Sequence, residues 1–332
     1  MYKPHIDGIV NNSNKYKNIV FFQKSLLVET YIIGYKTEGE TILFFIRADG
    51  GVSFSGLVDC YRSKDIDIVS SILRESGVNK LNFICWTHPD LDHSKGLKEM
   101  IKQYSSSETN IWIPEGVDAK EISCSEEVKN LFAYLKQCAR SMETELNVYS
   151  VSDKKDLTYY DSLCFQKGID AFPLNLISYT PNSKIMRKQN YLDKFIRNDR
   201  SIFFVLSLGQ VRIWLTGDIE DATIEQIPKE FFAEHIHILK IPHHGSGTST
   251  KIMELGWTDC DVACSTVYRK GRSHLPDEKV MAQYKKLAEN LYCTGNEDRH
   301  KEKQEYGMVK VVTNVLDNSY TTVVQGNAEI WN

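Results

Sequence analysis

The sequence predicts an α/β fold in which two facing sheets form one domain, with helices on the outer side of each sheet. Two observations lead to this prediction: the predicted strands fall into two blocks along the chain, and helical segments are interleaved with the strands of both blocks. A sheet that is apolar on one face needs a second layer to cover it, and two such blocks can cover each other within one domain. With 332 residues, the chain is long enough for a single large domain of this type.

The first block lies between residues 26 and 104. Residues 26–59 alternate between apolar segments and the glycine-containing turns TEGE and ADGG, which predicts three antiparallel strands. DIDIVSSILRESG then has apolar residues at helical spacing, an aspartate near its start and a glycine at its end, which predicts a capped helix. The short apolar segment LNFICW predicts a buried strand, and SKGLKEMIKQY predicts a helix shortly after it.

The second block follows a less regular segment, residues 104–196, which we interpret as a variable insertion. Within it we expect a strand at NIWIP, a helix at about 125–143, and strands at LNVYSV and LNLISYT. The predicted elements that follow are a hairpin of IFFVLSLG and QVRIWLTGD, a helix at about 221–232, the strands IHILKIP and VACSTV, a helix at about 277–289, the strand LYCTG and a final hairpin in VKVVTNVLDNSYTTVVQG. The predicted organisation is an N-terminal lead-in, residues 1–25, and a single domain, residues 26–332.

Composition argues against several classes of protein. The net charge is −4, so no overall basic field indicates nucleic-acid binding, and any basic surface must be local. The longest apolar segments are far too short to span a bilayer, and the N-terminus lacks the apolar region of a signal peptide. The eight cysteines are scattered without a CxxC motif, which favours reduced thiols in the core of a cytoplasmic protein.

The segment WTHPDLDHSKG, residues 86–96, has two histidines and two aspartates within six positions, directly after a predicted strand. Two carboxylates this close repel each other unless a cation or solvent intervenes, and the apolar strand argues against full exposure. Imidazole and carboxylate groups also follow other predicted strands, and together they form a ligand set for Zn²⁺, Mn²⁺ or Fe. His235 and His237 alternate along a strand, and we expect them to be structural. The candidate site residues are Asp59, His88, Asp90, Asp92, His93, Asp218, His243, His244 and His274.

This combination resembles the metallo-β-lactamase superfamily. The central HxHxDH motif of that family has its counterpart in HPDLDH, residues 88–93, where Asp90 replaces the second histidine. With LTGD at 215–218, LKIPHHGSGTS at 239–249 and NDRSIFFVL at 198–206, the chain is most similar to the soluble hydrolase domain of ComEC-type competence proteins. The resemblance runs from about residue 26 to 325 and implies a four-layer αββα sandwich of two mixed sheets.

The resemblance also implies a site for two divalent metal ions, Zn²⁺ or Mn²⁺. His88 and Asp90 would bind the first ion, and Asp218 would bridge the two. Because no histidine occurs between residues 94 and 200, the first site is rich in oxygen ligands, which favours a harder ion such as Mn²⁺. The remaining implied roles are these: Asp92, His93 and His274 bind the second ion; Asp59 orients a ligand; and Asp92 is catalytic together with His243 or His244, one of which would face the substrate. From their position next to predicted site elements, Ser246, Arg269, Lys270 and Arg272 are the candidates for substrate binding.

These residues predict a hydrolase that cleaves phosphodiester bonds with a metal-activated water, and they favour a nuclease acting on DNA or RNA. Basic residues near the site, at 269–272 and within 183–200, could attract an anionic substrate, although they are equally compatible with ordinary solvated loops. Three alternatives stay open: a phosphodiesterase for cyclic nucleotides or phosphorylcholine esters, a hydrolase of non-phosphate esters or lactones, and a weakly active protein that binds a partner. An enclosed pocket formed by residues 104–196 would favour a small substrate, whereas an open basic groove would favour a polynucleotide.

Overall fold

The computed structural model describes most of the chain and shows the predicted alternation of strands and helices. The described residues are 16–63, 66–117, 124–140, 146–160, 162–192, 195–229, 234–297 and 299–332. The strands are β1 Asn18–Phe21, β2 Leu26–Tyr35, β3 Glu40–Ala48, β4 Gly51–Val58, β5 Phe83–Cys85, β6 Asn110–Pro114, β7 Asn147–Val151, β8 Leu163–Lys167, β9 Asp170–Ser178, β10 Phe204–Leu208, β11 Val211–Leu215, β12 Ile236–Lys240, β13 Cys260–Ser265, β14 Ala288–Cys293, β15 Tyr306–Asn314, β16 Tyr320–Gly326 and β17 Glu329–Ile330. The α-helices are α1 Ile68–Glu75, α2 Leu91–Ser94, α3 Leu97–Tyr104, α4 Glu126–Arg140, α5 Ser183–Tyr191, α6 Asp221–Ile224 and α7 Glu278–Tyr284.

The strands form two mixed sheets. The eight-stranded sheet has the order β16-β15-β2-β3-β4-β5-β6-β7, antiparallel from β16 to β4 and parallel from β4 to β7. The nine-stranded sheet has the order β1-β8-β9-β10-β11-β12-β13-β14-β17, and its strands β11 to β14 are parallel. The predicted pair of mixed sheets is therefore confirmed.

Three apolar layers hold the sheets and helices together. Between the sheets, Phe83 of β5 meets Phe204 of β10 with ring centroids 5.6 Å apart, within a continuous buried cluster. Helices α1, α3 and α4 cover the outer face of the eight-stranded sheet, while α6 and α7 cover the nine-stranded sheet. Each large apolar side chain in these layers contributes about 1.5–3 kcal/mol by its burial. The order of layers is helix, sheet, sheet, helix, as the sequence predicts.

Helix boundaries follow local capping where the sequence supplies it. Asp67 accepts a hydrogen bond from the Ser70 amide at the start of α1, and Asp277 accepts from the Lys279 and Val280 amides at the start of α7. Each bond pairs amide groups that the first turn of a helix leaves without a partner. None of the helices in the described ranges is long and apolar enough to cross a membrane.

Several elements differ from the predictions. Strand β1 lies within the predicted lead-in and pairs in parallel with β8, and neither strand was predicted. The helix expected at 277–289 ends at Tyr284 because residues 288–293 form β14. The helix expected at 221–232 is observed only over α6, and residues 230–233 lie outside the described residues. Residues 1–15 and 141–143, which were part of the lead-in and of the helix predicted at about 125–143, also lie outside them.

Candidate metal centre

The candidate centre lies where loops leave the carboxyl ends of β5, β11 and β12. The loop after β5 is held by its own side chains: Trp86 Nε1 donates to Ser94 Oγ at 2.9 Å, and Ser94 Oγ donates to the Asp90 carbonyl oxygen at 2.5 Å. Trp86 is fully buried against α4, where its ring centroid lies 4.7 Å from that of Phe132. Because this loop is fixed at both ends, the side chains of His88, Asp90, Asp92 and His93 are displayed from a rigid support.

The loops after β11 and β12 are fixed by unusual backbone conformations. Gly217 has a φ of 52°, and a Cβ at this position would overlap the Ser201 side chain. The Ser201 hydroxyl accepts a hydrogen bond from the Asp218 amide at 2.9 Å. After β12, His243 and His244 have φ values of 46° and 54°, in the left-handed region that non-glycine residues rarely occupy. Two consecutive residues in this region cost about 1–3 kcal/mol each, and such strain concentrates at functional sites.

Four donor atoms converge at the centre: Asp92 Oδ2, His93 Nε2, Asp218 Oδ2 and His244 Nε2. Five of their separations lie between 3.1 and 3.5 Å: 3.1 Å for Asp92–His244, 3.5 Å for Asp92–His93, 3.4 Å for His93–His244, and 3.3 Å from Asp218 to each histidine. Zinc binds nitrogen and oxygen at about 2.0–2.1 Å in tetrahedral sites, which places neighbouring ligands about 3.3–3.4 Å apart. Five of the six separations among the four atoms therefore match the spacing of a tetrahedral ligand set.

Hydrogen bonds behind the two histidines fix their tautomers. His93 Nδ1 lies 2.7 Å from Asp59 Oδ2, a carboxylate that can only accept, so Nδ1 carries the proton. His244 Nδ1 lies 2.8 Å from the Thr266 hydroxyl, which already donates to Glu40 Oε2 at 2.6 Å and therefore accepts from the ring. In the neutral rings, both Nε2 lone pairs consequently point into the cluster, as metal ligation requires.

His88 and Asp90 form a second donor set beside the first. Thr87 donates its hydroxyl proton to Asp59 at 2.5 Å, so it accepts from His88 Nδ1 at 3.0 Å and leaves the lone pair on Nε2. His88 Nε2 is buried without a hydrogen-bond partner among the described residues, and it lies 3.7 Å from Asp90 Oδ2 and 3.8 Å from Asp218 Oδ2. A buried nitrogen without a partner is costly unless it binds something, so it fits a metal ligand. Asp218 Oδ2 belongs to both sets.

The electrostatics of the cluster favour added positive charge. Burial alone would lower the pKa of His93, but Asp218, Asp92 and Asp59 outweigh it and raise the pKa well above its ordinary value. Burial would also lower the pKa of His244, but Asp218 and Asp92 outweigh this effect and raise the pKa to about 9. The carboxylates thus draw protons onto imidazoles that would otherwise be neutral, and a divalent cation satisfies the same demand. The donor set fits a metal ion in number, spacing, tautomer and charge.

A buried lysine side chain lies behind Asp218. Lys240, the last residue of β12, is fully buried, with its Nζ 2.7 Å from Glu40 Oε2 and 3.4 Å from Asp218 Oδ1. Its ammonium also donates to the Gly217 carbonyl at 3.0 Å. Since Glu40 begins β3 and Lys240 ends β12, this ion pair joins the two sheets at the centre and orients Asp218.

The structure separates the two neighbouring histidines of PHHG. His244 belongs to the tetrahedral set, whereas His243 points to a different group of side chains. Its Nδ1 lies 3.1 Å from Glu220 Oε1 and 3.2 Å from the Thr248 hydroxyl, and its Nε2 lies 3.5 Å from Asn198 Nδ2. His243 is 23% exposed, in contrast to 2% for His244. Only His243 is therefore open to a substrate.

Some predicted site residues do not join the centre. His274 is exposed, and no hydrogen bond or ion pair in the described ranges links it to the cluster; His244 takes the ligand position predicted for it. Arg269 was predicted to bind substrate, but its buried guanidinium is committed to Glu302 at 2.5 Å and the Asn296 carbonyl at 2.6 Å. The other predicted substrate contacts are distributed as follows: Lys270 pairs with Glu38, Arg272 is exposed, and Ser246 Oγ lies 3.0 Å from Thr248 Oγ1.

The sequence reasoning missed the residues that support the centre from behind or beside it. One sequence signal was present, because Lys240 places a charge inside the otherwise apolar strand IHILKIP, where a buried partner is required. For the others the local sequence is unremarkable. The missed residues are Glu40, Thr87, Arg197, Asn198, Ser201, Glu220, Lys240 and Thr266.

Comparisons with known proteins give structural matches only. No protein-family model matches the chain, and no curated protein matches it. A protein described as a metal-dependent hydrolase from Parabacteroides distasonis has a TM-score of 0.39 and 15% identity over 78% of this chain and 92% of that one. A diphosphatase of the PhnP family has a TM-score of 0.37 and 13% identity, covering 79% and 94%. A metallo-β-lactamase bound to 2-mercaptoethanesulfonate has a TM-score of 0.33 and 14% identity, covering 61% and 66%. TM-scores this low carry no conclusion about activity.

Proposed function

We propose that this chain is a metal-dependent hydrolase of the metallo-β-lactamase type that cleaves phosphodiester bonds, and that its substrate is a nucleic acid. The observation that carries the proposal is the tetrahedral spacing of Asp92, His93, Asp218 and His244, with the lone pairs of both rings directed inward. Residues that only stabilise a fold have no reason to converge four titratable groups at such spacing.

The metal would be Zn²⁺ or Mn²⁺, held by this tetrahedral set, and a second ion would use His88, Asp90 and the shared Asp218 oxygen. Nitrogen and carboxylate ligands suit both metals, and the second set, with a single imidazole, suits the harder one. When bound, such an ion lowers the pKa of a coordinated water and neutralises charge on a phosphate oxygen.

The side chains of the protein supply orientation and a proton. Asp59 and Thr266 hold the ligand rings in the required tautomer, and Lys240 holds Asp218 from the opposite side. Glu220 accepts from His243 Nδ1, so the lone pair of the neutral ring lies on Nε2, which would take up a proton from the attacking water and then give it to the leaving oxygen of the substrate. We assign this role to His243 and not to His244, because His243 is the more exposed of the two.

The nucleic-acid part of the proposal rests on charge beside the centre. Helix α5 exposes Lys184, Arg187 and Lys188, and the chain continues from it to Arg197, which lies beside Asp90. Together these exposed cations would attract the phosphates of a polynucleotide. The resemblance of HPDLDH, LTGD and LKIPHHGSGTS to ComEC-type hydrolase domains supports the same substrate class.

A matrix of metals and substrates tests the proposal. The purified protein is stripped of metal, reloaded with Zn²⁺, Mn²⁺ or Mg²⁺, and incubated with single-stranded DNA, duplex DNA, RNA, bis-p-nitrophenyl phosphate, a lactone and a thioester. We expect cleavage of at least one polynucleotide and of the small phosphodiester, and loss of both in His93→Ala and Asp218→Ala. Turnover of only the lactone or thioester, or activity that survives in both variants, would overturn the proposal.

A further inference from the structure

A guanidinium lies beside the second donor set. Arg197 Nη1 is 2.5 Å from Asp90 Oδ1, while the other oxygen of the same carboxylate lies 3.7 Å from His88 Nε2. The Arg197 side chain is 43% exposed, so it reaches the centre from the solvent side. A guanidinium has five N–H donors in one plane, and its pairing with Asp90 leaves donors available for a bound anion.

The formal charges at the centre favour one tightly held ion and a second, more weakly held one. The tetrahedral set contributes two carboxylates, Asp92 and Asp218, which balance one divalent cation, while the Lys240 ammonium beside Asp218 is paired with Glu40. The carboxylate of Asp90 is already paired with the guanidinium of Arg197. A second divalent ion between His88 and Asp90 would lie beside that guanidinium and share its counter-charge. Coulomb repulsion at such short range is strong even at the effective dielectric of a protein surface.

From this juxtaposition we infer that Arg197 is an anion-binding residue of the centre, whose guanidinium competes with a second cation for Asp90 and holds a phosphate oxygen of the substrate. The inference rests on the proposed function and adds a specific residue and a specific charge arrangement to it. In the free protein, Asp90 holds the guanidinium at the edge of the centre. A phosphate bound at the metal would then receive the planar, bidentate contact that arginine makes with phosphates.

The test uses inorganic phosphate as the probe and does not depend on turnover. The full chain is loaded with one equivalent of Co²⁺, and phosphate affinity is measured by calorimetry in the wild type, Arg197→Met and Arg197→Lys. Arg74→Met serves as the matched control, because Arg74 is exposed in the last turn of α1. We expect Arg197→Met to weaken phosphate binding about 10-fold to 100-fold, since it removes charge-assisted hydrogen bonds. Arg197→Lys should be intermediate, and Arg74→Met should match the wild type.

A second readout is the affinity of the second metal ion, followed by the visible absorption of Co²⁺ during titration beyond one equivalent. Removing the guanidinium should strengthen binding of the second ion about 10-fold or more, because it frees Asp90 from its ion pair and removes the repulsion between the guanidinium and the ion. A purely structural role of Arg197 would not strengthen it. Phosphate affinity within about twofold of the wild type in Arg197→Met, or a second-ion affinity that does not rise, would overturn the inference and leave the proposed function intact. A wild-type protein that retains no Co²⁺ would overturn both.

Discussion

Strand β12 has a group of histidines and acids at each end, and the two groups differ in one decisive respect. Beyond its carboxyl end, His244 joins His93, Asp92 and Asp218. At its amino end, His235 and His237 lie near Asp261 with donor atoms within 4.8 Å of one another. Composition alone would rank both groups as metal sites. Their hydrogen bonds separate them.

At the amino end, the lone pairs that a metal needs are already used. His237 Nδ1 accepts from the Arg212 amide at 3.2 Å, so the neutral ring carries its proton on Nε2. His235 lies 2.5 Å from Asp259 through Nδ1 and 3.0 Å from Asp261 through Nε2, so both of its nitrogens face acceptors. In the candidate centre, by contrast, each ring is held from outside by a hydrogen bond at Nδ1, and both inner Nε2 atoms converge on the same two carboxylate oxygens, Asp92 Oδ2 and Asp218 Oδ2. The convergence of ring nitrogens on shared carboxylates, more than the density of donors, therefore distinguishes the candidate ligand set from a surface ion pair.

The largest expected effect tests which histidine completes the centre. We expect His244→Ala to lose bound metal and to lower hydrolysis by more than about 100-fold, because even removal of a ligand's hydrogen-bond partner typically costs about 10–100-fold. His274→Ala should retain metal content and activity, since His274 is exposed and makes no hydrogen bond or ion pair with the cluster among the described residues. Metal analysis by atomic emission and the phosphodiester assay check both variants. The opposite pattern would restore the ligand set implied by the sequence.

The sequence analysis assigned His274, and not His244, as a metal ligand, and this choice marks the limit of what the sequence can predict. The motif HPDLDH can be recognised from the sequence because its four ionisable residues are close together in the chain and follow an apolar strand. The alternation in β2, β3 and β4 is equally local, and that hairpin series is confirmed. Whether His244 or His274 reaches the centre depends on how loops after β12 and β13 pack across the sheet, which no local pattern records.

Contacts between residues far apart in the sequence could not be predicted, for the same physical reason. Glu40 and Lys240 are 200 positions apart and meet only because the two sheets face each other at this edge. Strands β1 and β8 were missed because they are short and lie at the edge of the nine-stranded sheet, where burial is incomplete and the apolar pattern is weak. Sequence periodicity reports local burial, so it is least informative at edges and at contacts between sheets.

The next effect concerns the stability of the two ends of β12. Lys240→Met should lower the free energy of unfolding by about 3–5 kcal/mol, because it leaves Glu40 buried without its cation. Arg212→Met is the matched change at the amino end, where the Arg212–Glu234 pair is partly exposed, and it should cost no more than about 1 kcal/mol. Urea denaturation of the metal-loaded proteins measures both. Equal losses of unfolding free energy in the two variants would mean that burial does not make the Lys240 pair more important for stability than the Arg212 pair.

A smaller effect is expected from the carboxylate that orients His93. Asp59→Asn should weaken metal binding about 10-fold to 100-fold, because an amide can no longer fix the proton on Nδ1. Asp259→Asn, which alters the acid facing His235 Nδ1, is the control and should leave metal affinity unchanged. Competition with a chromophoric chelator gives both affinities. A loss of metal affinity in the Asp259 variant would show that the amino-end group also binds the ion.

The smallest effect is the pH dependence of stability at the amino end. Burial lowers the pKa of His235, but hydrogen bonds to Asp259 and Asp261 outweigh it, so the net shift is upward from 6.5. A pKa raised by folding stabilises the protein below the unfolded value, and the contribution disappears as the pH rises through the folded value. The stability difference between the wild type and His235→Gln should thus be largest near pH 6 and vanish at higher pH. Because the pair is exposed, it should not exceed about 1 kcal/mol. Urea denaturation between pH 5.5 and 9 measures the difference, and one that grew with pH would mean that His235 is not held protonated by its two acids.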